Sequence, residues 1–469
     1  MRGEKRMPEK FVFTSSPIEQ LKADYDVIII GSGSTGLTCA IQANELGLKP
    51  VILEKMDKIG GNTNRASSGM NAAETEVQLT HGVVDSFAEF YNETYQGGGK
   101  LNNQEMLEYF TTHAALAIEW LSSHNIELTD LTITGGMSKK RAHRPASTAP
   151  VGAYLIKGLL GVVQREKIPL FTQVKVEHIK KNTADMQVVI SLDDKTQKTI
   201  TGKSIVIATG GFGAGSEWIK KYRPELMNYK TTNQSGATGD GLLLAQEIGA
   251  ELIQMEMIQI HPTVQQDTPH AYLIGETVRG EGAILVSAKG KRFVDELDTR
   301  KIVSHAITAL PEKSAYLIFD EKVRKRVKAI EFYNHIGLVK SAPTIAELAE
   351  ILKIDSKNLV STLSEWNKAV ETTVDTEFGR KTGMNIKLDA GPYYAIHVAP
   401  AVHYTMGGVH VDEKTRVLDG NGYVIPGIFA AGEVAGGLHG NNRIGGNSIA
   451  ETVVFGRQAA QQAYVYLKQ

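Results

Sequence analysis

The segment DYDVIIIGSGSTGLTCAIQANELGLKPVILEK, residues 24–55, restricts the fold more than any other part of the chain. Its apolar run at residues 27–30 is typical of a parallel strand covered on both faces. Gly31, Gly33 and Gly36 follow as G-x-G-x-x-G, a spacing that lets backbone N–H groups and a helix N-terminus approach a pyrophosphate. A second strand at residues 51–53 ends at Glu54, where a carboxylate would accept hydrogen bonds from an adenosine ribose. Together these elements predict an α/β protein with a Rossmann-like dinucleotide-binding domain.

Three further glycine-rich segments indicate which dinucleotide is bound. They are GGNTNRASSGMNAA, KSIVIATGGFG and IPGIFAAGEVAGG, at residues 60–73, 203–213 and 425–437. A nicotinamide cofactor rarely needs contacts from such distant parts of a chain, whereas FAD has an ADP half, a ribityl chain and an isoalloxazine ring to hold. A helix predicted from Asn447 onwards either closes the fold or places its positive end at the anionic edge of a reduced flavin. We therefore predict FAD as the cofactor.

Composition limits the remaining possibilities. The 469 residues suffice for two domains, and a net charge of −1 gives no electrostatic basis for binding nucleic acid or acidic lipid. The single cysteine, Cys39, excludes an internal disulfide, a cysteine-held iron–sulfur cluster and a c-type haem, and no metal site is indicated. The first residues, MRGEKR, do not begin a signal peptide, and no apolar run is long enough to span a membrane. We predict a cytoplasmic protein without a membrane contact.

The sequence changes character between MIQIHPT, residues 257–263, and VAPAVHYTMGGV, residues 398–409. The intervening region holds charged helical patterns such as TIAELAEILKI and SKNLVSTLSEWNKAV. We predict that residues 255–403 form an inserted α+β capping domain, and that residues 1–254 and 404–469 form a discontinuous FAD-binding domain. A crevice between two domains is a usual location for a small-ligand site.

Several ionisable residues lie within or next to this region. Taken singly, each has an ordinary explanation, such as a core histidine, a loop-holding arginine or a surface salt bridge worth under about 1 kcal/mol. Together they fall in the motif order HPT, E-x-x-R-G-x-G-A-I-L, K-R-F with T-R, H-Y-T-M-G-G-V, A-G-E-V and H-G-x-N-R-x-G-G-N. In this order the chain, from about Tyr25 to its end, resembles soluble FAD-dependent fumarate reductases. These belong to the fumarate reductase/succinate dehydrogenase flavoprotein superfamily and match the flavin domain of flavocytochromes c.

The resemblance implies an enzyme that reduces fumarate to succinate. Flavin N5 would deliver a hydride to one alkene carbon, and Arg300 would protonate the other. The resemblance also implies that Glu276 and Arg279 relay protons to Arg300. An arginine is a weak acid, with a pKa above about 12. Neighbouring cations and a linked carboxylate would let Arg300 lose a proton transiently and recover it.

The substrate carboxylates are assigned by the same resemblance. His403 and Arg443 would hold one carboxylate, and His261 would hold the other. Relatives that act on urocanate carry tyrosine where His261 stands, so this residue favours a dicarboxylate. Gly275 stands where the family has a carboxylate-binding threonine. Either the backbone N–H of Gly275 replaces the missing hydroxyl, or the pocket favours a different acid.

The cofactor contacts are assigned to the glycine-rich segments and to residues beside the motifs. Residues 62–65 and 67–73 contain no histidine that could carry a covalent flavin link, unlike the respiratory enzymes, so we predict non-covalent FAD. Besides Gly31, Gly33, Gly36 and Glu54, the residues assigned to FAD are Lys55, Asn62, Thr63, Ser68, Gly69, Val174, Thr209, Gly210, Asp240, Tyr404, Glu433, Ser448 and Ile449.

The sequence leaves the electron donor and the exact acid open. Free reduced flavin, a flavoprotein partner and an NADH-dependent system all remain possible donors. The alternatives to fumarate reduction are a reductase of another unsaturated acid, of the urocanate or acrylate type, and an L-aspartate oxidase-like enzyme. A third class is a flavin-bearing electron-transfer or storage module. The concentration of cations argues against it, because shielding a flavin ring requires apolar groups rather than charges.

Overall fold

Short runs of β-branched and other apolar residues form the strands of this α/β protein. The computed structural model describes residues 11–146, 149–182, 185–268 and 270–469, so the charged start MRGEKR lies outside the described residues. The two strands predicted around the first glycine-rich turn are confirmed, each slightly longer than expected. In the described chain the strands are β1 (Asp24–Ile30), β2 (Pro50–Leu53), β3 (Met70–Asn71), β4 (Asp130–Thr132), β5 (Ala142–Arg144), β6 (Leu170–Phe171), β7 (Val174–Lys181), β8 (Met186–Leu192), β9 (Gln197–Ile207), β10 (Leu252–Ile253), β11 (Ile258–Gln265), β12 (Tyr272–Leu273), β13 (Ile284–Val286), β14 (Ala315–Asp320), β15 (Lys340–Ala342), β16 (Tyr393–Thr405), β17 (Gly408–Val409), β18 (Arg416–Leu418) and β19 (Val424–Ala430).

Many helices begin at a residue whose side chain caps the free N–H groups of the first turn. Thr344, for example, forms a capping box with Glu347. The helix predicted after the paired glycines is confirmed and extends almost to the C-terminus. The helices of the described chain are α1 (Ser34–Glu45), α2 (Glu76–Thr80), α3 (Phe87–Gly97), α4 (Gln104–Ser123), α5 (Val151–Arg165), α6 (Ser216–Tyr222), α7 (Asp240–Glu247), α8 (Thr277–Gly280), α9 (Arg300–Ala309), α10 (Glu321–Arg326), α11 (Ala329–His335), α12 (Ile345–Leu352), α13 (Ser356–Thr372) and α14 (Asn447–Lys468).

The largest sheet explains why distant glycine-rich segments meet. Its strand order is β18-β19-β9-β1-β2-β6, and β8 and β7 extend from β9 as an antiparallel branch. Strands β19, β9, β1 and β2 run parallel to one another. At their carboxyl ends Ile207 lies opposite both Ile30 and Ala430, so the glycine-rich turns after these strands share one edge of the sheet. In open α/β sheets this edge is where ligands bind.

A second sheet carries the residues between the motifs. Its order is β12-β11-β16-β14-β13, with β15 also paired to β16, and these pairings are antiparallel. Strand β16 is 13 residues long. It begins in the core of this second unit and ends beside the large sheet, where it delivers His403 and Tyr404. Strand β11 pairs with it and carries Gln259 and His261.

The buried apolar residues divide into two clusters. One contains residues from Tyr25 to Ile258 and again from Val402 to Ala463, and the other contains residues from Ile274 to Val398. We propose residues 255–403 as the capping domain, and the separation of the two cores supports this division. Within the described ranges, no helix combines the length and apolar character that a bilayer span requires.

Candidate active site

Two adjoining clefts lie at the carboxyl edge of the large sheet. The first is bordered by the turn after β1, by the end of β2 and by residues that follow β9. The second lies between the two units and reaches the end of β16, the start of α14 and helix α11. Four residues line both clefts, namely Asn62, Thr63, Glu433 and Thr452. The clefts therefore form one continuous site, long enough to receive an extended ligand.

The first cleft fits the ADP half of FAD. A side chain at Gly31 would lie 2.4 Å from the carbonyl oxygen of Ala208, and one at Gly36 would lie 2.0 Å from the carbonyl oxygen of Gly31. Only glycine therefore allows this close packing of turn, helix and neighbouring strand. Helix α1 begins after Gly33 without a side-chain cap from that residue. The N–H of Ser34 donates to the hydroxyl of Thr63 at 3.3 Å, and the next N–H groups of the first turn are available to a phosphate.

The carboxylate at the end of β2 is rigidly held. Oε2 of Glu54 accepts hydrogen bonds from the backbone N–H and the hydroxyl of Ser32, at 3.0 and 2.6 Å, and Oε1 accepts one from the N–H of Met56 at 2.8 Å. The carboxylate retains further lone pairs for ribose hydroxyls. Nearby, the ammonium of Lys55 pairs with Asp240 at 2.9 Å and forms another wall of the cleft.

The start of α14 contributes to the second cleft. Its first residue follows Gly446, which has a φ of 88° and provides no side-chain cap. Ser448 and Ile449, in the first turn, line the cleft. The positive end of a 22-residue helix therefore faces the region next to the ADP half, where a flavin ring would lie.

Glu433 connects the two clefts. Its Oε1 accepts a hydrogen bond from the N–H of Thr405 at 3.1 Å, and its Oε2 accepts one from the side-chain amide of Asn62 at 3.4 Å. Burial raises the pKa of Glu433 to about 7, and the hydrogen bonds offset this effect only in part. Glu433 is therefore partly protonated at neutral pH and provides both a donor and an acceptor.

A buried ion pair forms one wall of the second cleft. Arg300, the first residue of α9, donates from Nε to Oε1 of Glu276 and from Nη1 to Oε1 of Gln259, the latter at 3.2 Å. Arg300 lines the cleft, whereas Glu276 lies behind it. Helix α9 starts at Thr299, whose hydroxyl caps the N–H of Ile302 and so fixes the position at which Arg300 leaves the backbone.

Arg279 lies on the far side of Glu276. Its Nη2 is 3.7 Å from Oε1 of Glu276, and neither Nε nor Nη2 has a hydrogen-bond partner among the described residues. Burial lowers the pKa of Arg279 to about 10, against the opposing charge of Glu276. Burial alone would raise the pKa of Glu276, but the charges of Arg300 and Arg279 outweigh it and hold that pKa below its ordinary value.

Arg443 also lines the second cleft. Its guanidinium lies over the ring of Tyr404, 4.5 Å from the centroid, and its Nε has no hydrogen-bond partner among the described residues. Burial and the charge of Arg300 lower the pKa of Arg443 to about 9. The hydroxyl of Tyr404 donates to Glu451 at 2.6 Å, and His439 lies 2.9 Å from the same carboxylate oxygen. This buried chain holds the aromatic platform beneath Arg443.

Two histidines pack against each other next to Arg443. The His261 and His403 rings meet edge to face at 5.0 Å, but only His403 lines the cleft. Nδ1 of His403 lies 2.7 Å from the Thr232 hydroxyl. Nδ1 of His261 accepts the N–H of Thr263 at 3.2 Å, which assigns the proton of a neutral ring to Nε2. Burial, followed by the charge of Arg300, holds the pKa of both histidines well below its usual value.

The backbone N–H of Gly275 is already engaged, which changes the expectation made for it. It donates to the hydroxyl of Tyr333 at 3.2 Å. A side chain at position 275 would lie 2.9 Å from Oγ of Ser67. The space beside Gly275 is thus occupied by hydroxyls from other segments, and Ser67 and Tyr333 are the residues that line the cleft there.

The structure brings most of the predicted site residues to the two clefts. Gly36 and Gly69 do not line them and instead permit close packing of the backbone. Glu276, Arg279, His261 and Gly275 lie behind the lining residues. The predicted residues that line a cleft are Gly31, Gly33, Glu54, Lys55, Asn62, Thr63, Ser68, Val174, Thr209, Gly210, Asp240, Arg300, His403, Tyr404, Glu433, Arg443, Ser448 and Ile449.

Gln259 was not predicted from the sequence, although it forms hydrogen bonds to both Arg300 and the backbone of Arg443. Its side-chain oxygen accepts from Arg300, and its amide donates to the carbonyl oxygen of Arg443 at 2.7 Å and to the side chain of Asn442 at 3.0 Å. The available signal was its position two residues before His261 on one strand, because alternate residues share a face. Gln259 thus fixes the separation between Arg300 and the loop that carries Arg443.

Comparisons with known proteins agree with this geometry. A family model described as FAD binding domain matches residues 26–449. The chain is 48% identical over 440 residues to the NADH:fumarate oxidoreductase of Klebsiella pneumoniae, covering 94% of this chain but 47% of that protein. It therefore spans about half the length of that relative. It is 39% identical over 445 residues to a fumarate reductase (cytochrome) of Shewanella frigidimarina, covering 94% of this chain and 77% of that protein.

The structural comparison gives the same grouping. The open conformation of a flavocytochrome c3 fumarate reductase matches with a TM-score of 0.78 and 36% identity, over 96% of this chain and 80% of that one. In sequence, the chain is also similar to a urocanate reductase of Eggerthella lenta, at 32% identity, and to an NADH:acrylate oxidoreductase of Vibrio harveyi, at 30% identity. The chain therefore belongs to the FAD-binding domain family, together with these flavin-dependent fumarate reductases.

Proposed function

We propose that this protein reduces fumarate to succinate at the second cleft. The observation that carries the proposal is the lining of this cleft by Arg300, His403 and Arg443, with Glu276 paired to Arg300 from behind. A small dicarboxylate supplies negative charge that complements Arg300 and Arg443, and it accepts a hydrogen bond from the neutral ring of His403. The greater similarity of the fumarate reductases, compared with the urocanate and acrylate reductases, supports the same choice of substrate.

Different residues hold the two carboxylates of the substrate. Arg443 and His403 hold one carboxylate, because both line the second cleft and present nitrogen donors to it. His261 supports His403 through the ring contact and presents Nε2–H toward the other carboxylate. Holding both ends fixes the alkene and polarises it toward an enolate-like transition state, in a site that excludes most water.

Arg300 serves as the proton donor. When bound, reduced FAD supplies the hydride for one alkene carbon. Arg300 then gives a proton to the other carbon, since it lines the cleft and is fixed by Glu276 and Gln259.

Glu276 and Arg279 return the proton. The carboxylate of Glu276 stays ionised because two arginines flank it, so it accepts a proton from one guanidinium and passes it to the other. Arg279 releases a proton more readily than a free arginine, since burial lowers its pKa to about 10. The three groups form a relay that leads away from the cleft.

The attachment of the cofactor and the electron source belong to the same proposal. FAD is held without a covalent bond. His143, which pairs with Met70 between β5 and β3, is engaged by Met70, Arg141 and Thr75. The donor is reduced flavin, a flavoprotein or an NADH-dependent system. The name of the Klebsiella relative supports the last of these. The cytoplasm remains the proposed compartment.

One anaerobic experiment tests the proposed function. The holoenzyme is reduced, then mixed separately with fumarate, urocanate, acrylate and iminoaspartate, and flavin absorbance is followed. We expect rapid reoxidation by fumarate alone. Faster reoxidation by urocanate or acrylate would assign the enzyme to another unsaturated acid, and a response to iminoaspartate would favour the L-aspartate oxidase-like alternative. No response to any of the four would support a flavin-bearing module without such a substrate.

A further inference from the structure

Tyr333 is a buried phenol that reaches the second cleft from the capping domain. It lies on α11 and is 4% exposed, yet its side chain lines the same cleft as Arg300, His403 and Arg443. Sequence analysis gave this residue no role, because nothing in the pattern of α11 marks it. Tyr333 therefore adds a phenol hydroxyl to a cleft that is also lined by two arginines and a histidine.

The hydrogen bonds of this hydroxyl determine what it can do. Its oxygen accepts the N–H of Gly275 at 3.2 Å. Among the described residues no acceptor receives its proton, so the phenol has one hydrogen bond left to donate. A donor whose own oxygen accepts a hydrogen bond is polarised and donates more strongly. The hydrogen bond from the Gly275 N–H therefore makes the Tyr333 hydroxyl a stronger donor to a ligand in the cleft.

The surroundings favour an anion as the recipient. Ser67 adds a second hydroxyl on the same wall, at a position that a side chain on residue 275 would contact at 2.9 Å. The charge of the buried Arg144 acts on Tyr333. Burial raises the pKa of Tyr333, so the phenol keeps its proton at neutral pH and acts only as a donor to an anion. A carboxylate accepts such hydrogen bonds and gains more from them than a neutral group does.

We propose that Tyr333 is a specificity-determining residue, whose hydroxyl donates a hydrogen bond to the substrate carboxylate that His403 and Arg443 do not hold. This inference rests on the proposed function, because it requires a ligand with two carboxylates. It adds a donor from the capping domain to the donors that Arg443 and the neutral ring of His403 provide. Binding of a dicarboxylate therefore depends on the position of the capping domain, because that domain carries Tyr333.

The test compares Tyr333→Phe with Tyr316→Phe in the holoenzyme. Tyr316 lies on β14 of the capping domain and does not line the cleft, so the control removes a hydroxyl from the same domain by the same chemical change. We expect Tyr333→Phe to raise the KM for fumarate at least tenfold and to change kcat less than threefold. The dissociation constant of succinate, measured from the absorbance change of the oxidised flavin, should rise by a similar factor. Tyr316→Phe should match the wild type in all three.

Two results would overturn the inference. One is a KM and a succinate dissociation constant within twofold of the wild type. The other is a loss of FAD content or a lower melting temperature at unchanged KM, which would show a merely structural role. If the wild-type holoenzyme neither binds succinate nor reduces fumarate, the proposed function fails and this inference fails with it. If the wild type does both and Tyr333→Phe behaves identically, only the inference fails.

Discussion

The carboxylate of Glu276 accepts a hydrogen bond from Nε of Arg300, while its other oxygen, Oε2, has no hydrogen-bond partner among the described residues. The two residues are 24 positions apart, with Glu276 directly before α8 and Arg300 at the start of α9, and both are buried. Arg279 and Arg443 also act on this carboxylate electrostatically. Glu276 therefore stabilises a group of buried guanidiniums and keeps one oxygen available for a proton.

Arg300→Ala should abolish turnover without emptying the cofactor site. The variant loses the proposed proton donor, and general acid catalysis of this kind contributes about 10²–10⁴-fold to a rate. We expect flavin reoxidation by fumarate to slow by at least about a thousandfold, while FAD content stays at the wild-type level, because Arg300 lies outside the first cleft. Stopped-flow absorbance measures the rate. Arg165→Ala, at an exposed surface ion pair, is the control and should retain full activity. Residual turnover above a tenth of the wild-type rate would contradict the assignment.

Glu276→Gln should destabilise the protein more than the loss of one hydrogen bond would. The substitution keeps the shape of the side chain but leaves the surrounding guanidiniums without their common anion. Removing one partner of a buried pair costs about 3–5 kcal/mol. We expect a lower melting temperature by differential scanning fluorimetry at a fixed heating rate. Succinate should restore part of the loss and should raise the melting temperature more in the variant than in the wild type, because its carboxylates replace the missing charge. An equal effect of succinate on both proteins would show that the ligand and Glu276 do not act on the same cations.

The sequence predicted the parts of this site that depend on local pattern. The turn at Gly31 follows from its spacing, and the meeting of Ile30 with Ile207 and Ala430 follows from the rule that carboxyl ends of parallel strands share one edge. The grouping of Glu276 with Arg279 was implied by the resemblance to the fumarate reductase family. These features required no knowledge of how the two units pack against each other.

The contacts that the sequence did not predict join residues from distant segments. Tyr333 takes the N–H of Gly275 from 58 residues away, and Gln259 reaches Arg443 across 184 residues. No periodicity marks such pairs, because they depend on how the capping domain packs on the large sheet. The position of His261 behind His403 was also not predicted, and two register shifts interrupt the pairing of β11 with β16 near His261.

Thr232→Val should weaken fumarate binding by disturbing His403. The Thr232 hydroxyl lies 2.7 Å from Nδ1 of His403, and the depressed pKa of this histidine keeps its ring neutral near pH 7. A neutral imidazole has a single N–H, so a hydroxyl that donates to Nδ1 places the proton on Nε2, where it can reach a carboxylate. We expect the KM for fumarate to rise about tenfold with a smaller change in kcat. The KM should show no titration of His403 between pH 6 and 8 in the wild type.

The matched control for Thr232 is Thr372→Val, which makes the same change at an exposed position on α13. It should leave the KM unchanged. Steady-state assays with an artificial reduced electron donor measure both variants under the same conditions. An unchanged KM in Thr232→Val would mean that another contact determines which nitrogen of His403 carries the proton.

Glu433→Gln should change how the stability of the FAD-free protein depends on pH. The pKa of Glu433 is raised from 4.5 to about 7 by burial, so between these values the folded protein keeps a proton that the unfolded chain has released. Stability from this group is therefore fully present below about pH 4.5 and falls as the pH rises toward 7. The glutamine variant has no such titration. Its free energy of unfolding relative to the wild type should increase across this range, by about 3 kcal/mol at pH 8 if each pKa unit is worth about 1.4 kcal/mol.

Urea midpoints at several pH values measure the difference. Glu119→Gln, at an exposed position on α4, should follow the wild-type profile throughout. Parallel profiles for Glu433→Gln and the wild type would show that the carboxyl is ionised in the folded protein, and the protonated hydrogen-bond donor assigned to Glu433 would then be wrong.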